Sequence, residues 1–331
     1  MNNRQGIISL VYTILEGRLK MEIPKNKYDR LIAQDTEGNY RNLGIFNAEK
    51  EDVKITKKKP ELTPKQKALL KNKTELTLYS EELGGYIHMY YVSNELLFNK
   101  VNIERANISR LIYLATYIDY NDRQENLLIK YSQCKEIEPM TRKDIKEKLG
   151  LKDTAFKSFL KNMKENNLLY EVNNKFYINP DYFSKGKIHV KDKKYTRIYI
   201  NTTRILYEGC NPKKHKSLSY VFQLIPFMNT ELNIICENPN EKDLNKIKKL
   251  NMKNICELLK LSTDKKNMSR IKKDILNISI NYQEKELYLF RSVKIEGAFG
   301  SRDYFVINPN IAWGGINISA LKEIINLYFF V

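Results

Sequence analysis

The stretch of sequence that decides the fold runs from residue 140 to residue 180 and reads MTRKDIKEKLGLKDTAFKSFLKNMKENNLLYEVNNKFYINP. Thr141 and Asp144 have the spacing of a capping box, and glycine favours helix ends, so a short helix is predicted to finish at Gly150. A second helix is predicted after it, because apolar side chains recur every three or four residues. These side chains are Phe156, Phe159, Leu160 and Met163.

The rest of this stretch predicts a two-stranded hairpin. Residues 168–172 and 175–178 are strand-like, and Asn173 and Asn174 join them, since asparagine tolerates the positive φ angles that a two-residue hairpin needs. Upstream, residues 108–118 carry apolar side chains at helical spacing. A helix, a short helix, a turn, a second helix and a hairpin follow the order of a winged helix-turn-helix domain.

The second half of the chain repeats this order. Its predicted elements are a helix at 218–228 that Pro226 ends or kinks, a helix at 252–261, a helix capped by Ser262 or Thr263, and wing strands at 287–293 and 304–307. Both halves end alike, with FYINP at 176–180 and FVINP at 305–309, and a glycine follows each proline by six residues. We interpret the halves as a duplicated module whose second wing is longer by an insertion.

The predicted fold class is therefore α+β, with two tandem winged-helix domains and an N-terminal extension. A linker is predicted because residues 54–73 hold eight lysines and a single acid. Residues 76–79 and 86–92 are predicted as strands around a Gly84-Gly85 turn. The predicted segments are a small N-terminal element at 1–53, the lysine-rich linker at 54–75, a first winged-helix domain at 76–190 and a second at 191–331.

The charge of the chain favours a polyanionic partner. It has 57 lysines and arginines against 39 aspartates and glutamates, which gives a net charge of +18. Nucleic acid is the first partner that such a surplus indicates, and an anionic membrane surface is the second. A lysine-rich, solvated surface encoded by an AT-rich genome is the alternative explanation. The sequence shows no signal peptide and no run of about 18 apolar residues, so we expect a cytoplasmic protein with no membrane partner.

The side chains that carry metal or catalytic chemistry are scattered along the sequence. The cysteines and histidines are Cys134, Cys210, Cys236, Cys256, His88, His189 and His215. A zinc site needs about four clustered ligands, and their spacing provides none. The sequence also lacks a Gly-x-x-x-x-Gly-Lys phosphate loop and a His-hydrophobe-His cluster, and its carboxylates are dispersed. We therefore predict that the chain has no cofactor or metal and is not an enzyme.

The second helix of each predicted module is the candidate recognition helix, since that helix enters the major groove in helix-turn-helix proteins. Its buried face fixes which residues point outward. The candidate DNA-binding residues are Thr154, Lys157, Ser158, Lys161 and Asn162, with Asn174 and Lys175 in the wing, and then Lys265, Lys266, Ser269, Arg270 and Lys273. Arg270 is the best candidate for a bidentate contact with guanine. A solvated helix face is the alternative for each residue.

Further basic residues are weaker candidates for phosphate contacts. In the second helix of the second module, Asn267 and Lys272 also belong to the predicted outward face. The second wing adds Arg291, Lys294 and Arg302. The segment at 189–204 joins the modules and interleaves lysines and arginines with two tyrosines, which fits either a path along a DNA backbone or an amphipathic strand.

The residues at 140–145, the helix at 156–163, Asn167-Leu168-Leu169 and the FYINP motif resemble the winged-helix core of Firmicute plasmid replication proteins, and more loosely MarR-type regulators. Over residues 105–316 the layout is similar to theta-type plasmid initiators, which grip origin repeats with two winged helices. The resemblance implies that the recognition role falls on Thr154, Lys157, Ser158 and Lys161, and through the repeat on Lys266, Ser269 and Arg270.

These observations predict sequence-specific binding of double-stranded DNA by a plasmid or phage replication initiator. A transcriptional regulator of a mobile element is the alternative with the same fold, and a module that binds another protein is the third hypothesis. An initiator would also meet host replication proteins. The sequence leaves open whether the chain acts as a monomer or as a homodimer.

Overall fold

The chain divides into two units, Met1–Thr63 and Pro64–Val331. The computed structural model describes residues 29–34, 40–46, 62–91, 93, 103–120, 125–186, 194–282, 284–297 and 300–329. In the first unit, β1 (Asp29–Gln34) pairs with β2 (Tyr40–Phe46) as an antiparallel hairpin whose register shifts after Leu31.

The second unit mixes helices with small antiparallel sheets, so the predicted α+β class is confirmed. Its described helices are α1 (Pro64–Glu82), α2 (Arg105–Ala115), α3 (Arg142–Leu149), α4 (Asp153–Glu165), α5 (Ile200–Gly209), α6 (His215–Leu224), α7 (Met252–Leu258), α8 (Lys265–Leu276) and α9 (Ile318–Tyr328). Its described strands are β3 (Tyr86–Tyr90), β4 (Ile129–Tyr131), β5 (Ile137–Pro139), β6 (Leu169–Val172), β7 (Lys175–Ile178), β8 (Phe183–Ser184), β9 (Tyr195–Tyr199), β10 (Ser279–Tyr282), β11 (Lys285–Tyr288), β12 (Phe290–Gly297), β13 (Gly300–Ile307) and β14 (Ala312–Trp313).

Helix α1 corrects two sequence predictions. Residues 64–75 were assigned to a linker and 76–79 to a strand, but both lie in this helix. The reason is local, because lysine, leucine, glutamine and glutamate favour helices and no glycine or proline interrupts them after Pro64. Proline at the first helical position costs nothing, since that N–H has no partner within the helix. The predicted turn is confirmed, with Gly84 and Gly85 at φ angles of 77° and 79°.

A four-stranded antiparallel sheet in the order β14-β9-β3-β8 joins the two halves of the unit. At its centre β3 pairs with β9, placing Tyr86 opposite Tyr199 and His88 opposite Arg197. Strand β8 flanks β3 and β14 flanks β9. We call β3 to β8 the first module and β9 to β14 the second, so each module contributes its first and last strand to the sheet.

The first module follows the local signals of its sequence. Thr141 and Asp144 form the predicted capping box at the start of α3, and Gly150 ends that helix at φ 63°. The two-residue turn between β6 and β7 has Asn173 and Asn174 at φ 51° and 60°. Residues 126–128 lie beside β7 as a third strand, since the Leu128 N–H donates to the carbonyl of Phe176.

The second module repeats this order, and it adds α5 and the hairpin β10–β11 to the elements described in the first module. Pro226 lies in a single 3₁₀ turn that follows α6, as predicted. We call the hairpin of β6 and β7 the first wing and the long hairpin of β12 and β13 the second wing. Residues 233–235 lie beside β13, with the Ile235 N–H donating to the carbonyl of Phe305. The extra hairpin β10–β11 between α8 and the wing was not predicted. Its turn includes Glu284 at φ 63°, and no glycine or asparagine marked that position.

The start of α8 also differs from the sequence prediction. The N-cap of α8 is Asp264 rather than Ser262 or Thr263, and its carboxylate accepts a hydrogen bond from the backbone N–H of Asn267. Ser262 instead donates its hydroxyl to Asp264. All three residue types accept such bonds well, so the sequence alone did not rank them.

The asparagines of the two Asn-Pro motifs form matching hydrogen bonds in the two modules. Asn179 bonds through its backbone N–H and its Nδ2 to the carbonyls of residues 167–168, and Asn308 does the same to residues 288–289. The Nδ2 to oxygen distance is 2.8 Å in both. The asparagine thereby ties the end of the wing to its beginning, while the following proline stops the ladder.

A second matched pair of asparagines holds the third strand of each module. Asn126 and Asn233 both have a φ of 54°, which asparagine tolerates better than most residues. Each accepts a hydrogen bond at its carbonyl from the last residue of β7 or β13. Each also donates from Nδ2 to a carbonyl after the wing, that of Phe183 or Ala312. The two modules therefore share hydrogen bonds as well as element order.

The modules share one hydrophobic core, in which α2 of the first packs against α6 of the second. The fully buried side chains of these helices include Leu111, Ile112, Leu114, Leu218, Val221 and Phe222. Polar bonds reinforce the contact, since Ser109 Oγ donates to the His215 carbonyl at 3.2 Å and Arg204 donates to the Thr116 carbonyl at 2.8 Å. The described part of the connection between the modules, β9 and α5, is therefore packed and does not act as a loose tether.

Replacing Asn233 by glycine tests this hydrogen-bond pattern. Glycine keeps the positive φ but removes the donors to two buried carbonyls, those of Ile307 and Ala312. Each lost bond to a buried group costs about 1–3 kcal/mol, so we expect the free energy of unfolding to fall by about 2–6 kcal/mol in urea denaturation.

The matched control is Asn167→Gly, because Asn167 has a φ of 53° and an exposed side chain. We expect it to change the free energy of unfolding by no more than about 0.5 kcal/mol. Equal losses in the two variants would show that the Asn233 amide contributes nothing.

Candidate nucleic-acid interface

Helix α4 separates its residues into a buried and an exposed face. Phe156, Phe159, Leu160 and Met163 are buried, as their spacing predicted. The opposite face therefore points to solvent, and the candidates exposed there are Thr154, Lys157, Ser158 and Lys161. Lys161 lies 3.8 Å from Glu165 in an exposed pair one turn along, which contributes little energy. The lysine can exchange that partner for a phosphate at small cost.

Asn162 differs from the other candidates on α4. Its side chain is half-buried, and its Oδ1 accepts a hydrogen bond from Nδ2 of the buried Asn107 in α2 at 3.1 Å. Asn107 in turn accepts from Arg110 at 2.6 Å. The amide of Asn162 therefore orients α4 on the core, and this contact competes with the predicted contact with a base.

The first wing is fixed to the candidate recognition helix. Lys164 near the end of α4 donates to Glu171 in β6 at 2.7 Å. Asn174 and Lys175, the predicted wing contacts, lie exposed at the tip of the hairpin. The ion pair of Lys164 with Glu171 therefore links β6 of the wing to the end of α4.

Helix α8 has the same division, with Ile271 and Ile275 buried. The exposed candidates are Lys265, Lys266, Ser269, Arg270 and Lys273. Arg270 donates one hydrogen bond to Asn267 Oδ1 at 2.7 Å, which orients its guanidinium. A guanidinium has five N–H donors, so this bond uses only part of its capacity.

Two residues of the predicted outward face of α8 are turned toward the protein. Asn267 belongs to the helix cap and donates from Nδ2 to the Ser262 carbonyl at 2.6 Å. Lys272 forms an ion pair with Asp303 of β13. This pair fixes the second wing to α8 as the pair of Lys164 with Glu171 fixes the first. Neither ion pair was predicted from the sequence, because the partners lie 7 and 31 residues apart.

Some of the other basic candidates are exposed, and others contact the protein itself. Arg291 lies over the ring of Tyr288 at 4.0 Å, and Lys294 is exposed. The side chain of Arg302 and residues 187–193 lie outside the described residues. Arg197 is buried and donates to the Gly315 carbonyl at 2.8 Å, and the half-buried Arg204 donates to the Thr116 carbonyl at 2.8 Å. The described part of segment 189–204 is thus structural and does not follow a DNA backbone with these two arginines.

The described residues show no group of three or more histidine, cysteine, aspartate or glutamate side chains that could hold a metal ion. His88 and His215 are buried. Burial, with a smaller effect of the charge on Arg197, lowers the pKa of His88 to about 4, so this side chain is neutral at physiological pH. In the same described part, no helix has the length and apolar character needed to cross a membrane.

Comparison of the chain with models of known protein families, with curated protein sequences and with solved structures found no match. The resemblance to plasmid initiators therefore rests on the residues quoted above.

The cap of α3 gives a prediction about stability and pH, since this helix supports α4. Burial alone would raise the pKa of Asp144, but hydrogen bonds from Thr141 and the charge of Lys130 at 2.9 Å hold it below its usual value. A depressed pKa contributes stability above the unfolded pKa of about 3.9, and this contribution is lost as pH falls through the folded pKa.

We therefore expect Asp144→Asn to lower the free energy of unfolding by about 1–2 kcal/mol at pH 7, with the difference shrinking below about pH 4. Denaturation over a pH series measures it. Glu147→Gln on the same helix is the control, because Glu147 forms only an exposed pair with Lys143 at 3.9 Å. A difference that persists unchanged at low pH would contradict the assigned role of the carboxylate.

Proposed function

We propose that the chain binds double-stranded DNA in a sequence-specific manner, with α4 and α8 as the recognition helices of two winged-helix modules. The observation that carries this proposal is that both the order of elements and the exposed residues of one helix are repeated in the second module. The order of helix, strand, two helices and hairpin occurs twice, and each time the second helix of the pair exposes lysine with serine, threonine or arginine.

The arrangement around each helix supports a winged-helix assignment. In the first module, residues 126–128 complete a three-stranded sheet with β6 and β7, and in the second, residues 233–235 do so with β12 and β13. In a winged helix the hairpin lies beside the recognition helix, and here an ion pair holds each wing to its helix. A protein that uses both elements on DNA needs them fixed relative to one another.

The residues divide into two roles by chemistry. Lysines 157, 161, 265, 266 and 273 and the wing residues Asn174 and Lys175 suit phosphate contacts, which position a protein on the duplex. Arg270 suits the paired acceptors of guanine, and Thr154, Ser158 and Ser269 can contact base edges. The net charge of +18 supports the electrostatic part of such binding.

We further propose that the target is a set of replication-origin repeats on a plasmid or phage. Homodimeric regulators present two identical helices and read palindromes. Here the two helices lie in one chain and expose different residues, Thr-Lys-Ser in α4 and Lys-Ser-Arg in α8, so a single chain reads an asymmetric site. Directly repeated sites fit this property. A transcriptional regulator of a mobile element remains the second candidate, since it could use the same interface.

The first prediction concerns salt. Each phosphate contact adds about 0.9 to the slope of log K against log salt concentration, so we expect a steep negative slope in fluorescence anisotropy titrations. Lys157→Gln should make the slope shallower by about 1 on specific and random duplexes alike. Lys246→Gln removes the same charge from an exposed turn outside both helices and wings, and we expect no change. A flat slope for the unaltered chain would refute nucleic-acid binding.

The second prediction concerns specificity and uses a duplex selected from a random pool. Arg270→Ala should weaken binding to the selected duplex by about 1–3 kcal/mol and leave binding to random DNA nearly unchanged. Arg270→Lys, which keeps the charge but not the bidentate geometry, should lose most of the same discrimination. Equal losses on both duplexes would reassign Arg270 to a phosphate.

A further inference from the structure

A cavity of about 360 Å³ lies where the two modules meet. Its residues come from the end of α2, from β4, from α3 and from the segment after β8, while α5 of the second module closes one side with Arg204. Neither α4 nor α8 contributes a residue. The cavity is therefore separate from the proposed DNA interface, and its volume falls in the range of small-molecule sites.

The charged residues that line this cavity are all cations. They are Lys130, Lys148, Lys185 and Arg204. Lys130 is neutralised by Asp144 at 2.9 Å and by Glu138 at 3.6 Å. The other three form no ion pair with a carboxylate in the described part of the chain. Arg204 donates two hydrogen bonds to Thr116 and lies 3.9 Å from the centre of the Tyr117 ring, and Lys148 lies 5.5 Å from the same centre. A guanidinium has five N–H donors, so Arg204 keeps donors for an anion.

Among these cations, Lys185 is the one whose charged form is disfavoured by burial. Its side chain is half-buried, and burial lowers the pKa of its ammonium group, with the charge of Arg204 lowering it further and that of Asp119 partly offsetting this. Two half-buried cations that face one cavity repel each other, and a bound anion would convert that repulsion into attraction.

We propose that this cavity binds a small organic or inorganic polyphosphate, with the phosphates held by Lys148, Lys185 and Arg204. Three cations on two modules match an anion with at least two phosphate groups better than a single carboxylate. Tyr131 lines the same cavity with 67% of its surface exposed, which offers a ring for a base to stack on. Such a ligand bridges both modules, so its binding stabilises the unit that they form.

The test is calorimetric titration of the full chain with pyrophosphate and, separately, with ATP, both without metal ions. At an ionic strength of about 0.15 M the Debye length is about 8 Å, which suppresses unspecific attraction to the surface. We expect one molecule bound per chain and a rise in melting temperature. The two ligands distinguish a site for phosphates alone, which binds both equally, from one that also holds a base, which prefers ATP.

Lys185→Gln should weaken this binding about tenfold or more, since a charge-assisted hydrogen bond to a buried group is lost. Lys148 is exposed on its helix, so Lys148→Gln should leave the fold intact and weaken ligand binding as well. Lys246→Gln should not weaken ligand binding. The proposal is overturned by absent binding, or by losses as large with Lys246→Gln as with Lys185→Gln. It is also overturned if duplex DNA displaces the ligand and Lys185→Gln weakens DNA binding, because the cavity would then belong to the DNA interface.

Discussion

The pairing of β3 with β9 and the packing of α2 against α6 hold the two modules together, and the rest of the structure depends on this contact. Separating the modules would break a central β-ladder and expose the apolar faces of both helices to water. Because the fold itself sets the separation of α4 and α8, the proposed binding of a matching target would not carry the entropic cost of bringing two tethered domains together.

Local signals in the sequence predicted the paired helices of both modules and the first wing because each signal acts within a few residues. The capping box of Thr141 and Asp144, the left-handed Gly150 and the Asn173-Asn174 turn all appear in the structure. Local signals could not predict the sheet that joins the modules, because β3 and β9 lie more than 100 residues apart and their pairing depends on tertiary packing. Helix α1 was missed because lysine-rich sequence suits both a linker and an exposed helix.

In the candidate site, too, local patterns were predicted from the sequence and distant contacts were not. Helical periodicity predicted the exposed faces of α4 and α8, since burial of one face determines the other. It did not separate Lys272, which is paired with Asp303, from Lys273, which is exposed. It also did not show that Arg197 and Arg204 turn inward, because the partners of these arginines come from distant parts of the chain. The structure therefore narrows the candidate DNA-binding residues to the exposed faces of two helices and their wings.

The most direct test of this account measures binding to a selected duplex into which base pairs are inserted between the two contacted segments. Insertion of about five base pairs turns the segments to opposite sides of the DNA, and insertion of about ten restores the side but adds one helical turn of 34–36 Å. A rigid pair of modules predicts that both insertions reduce the affinity and protect only one segment in a footprint. Recovery of full affinity and of both protected segments with the longer insertion would show that the modules are independently tethered, and would contradict the account.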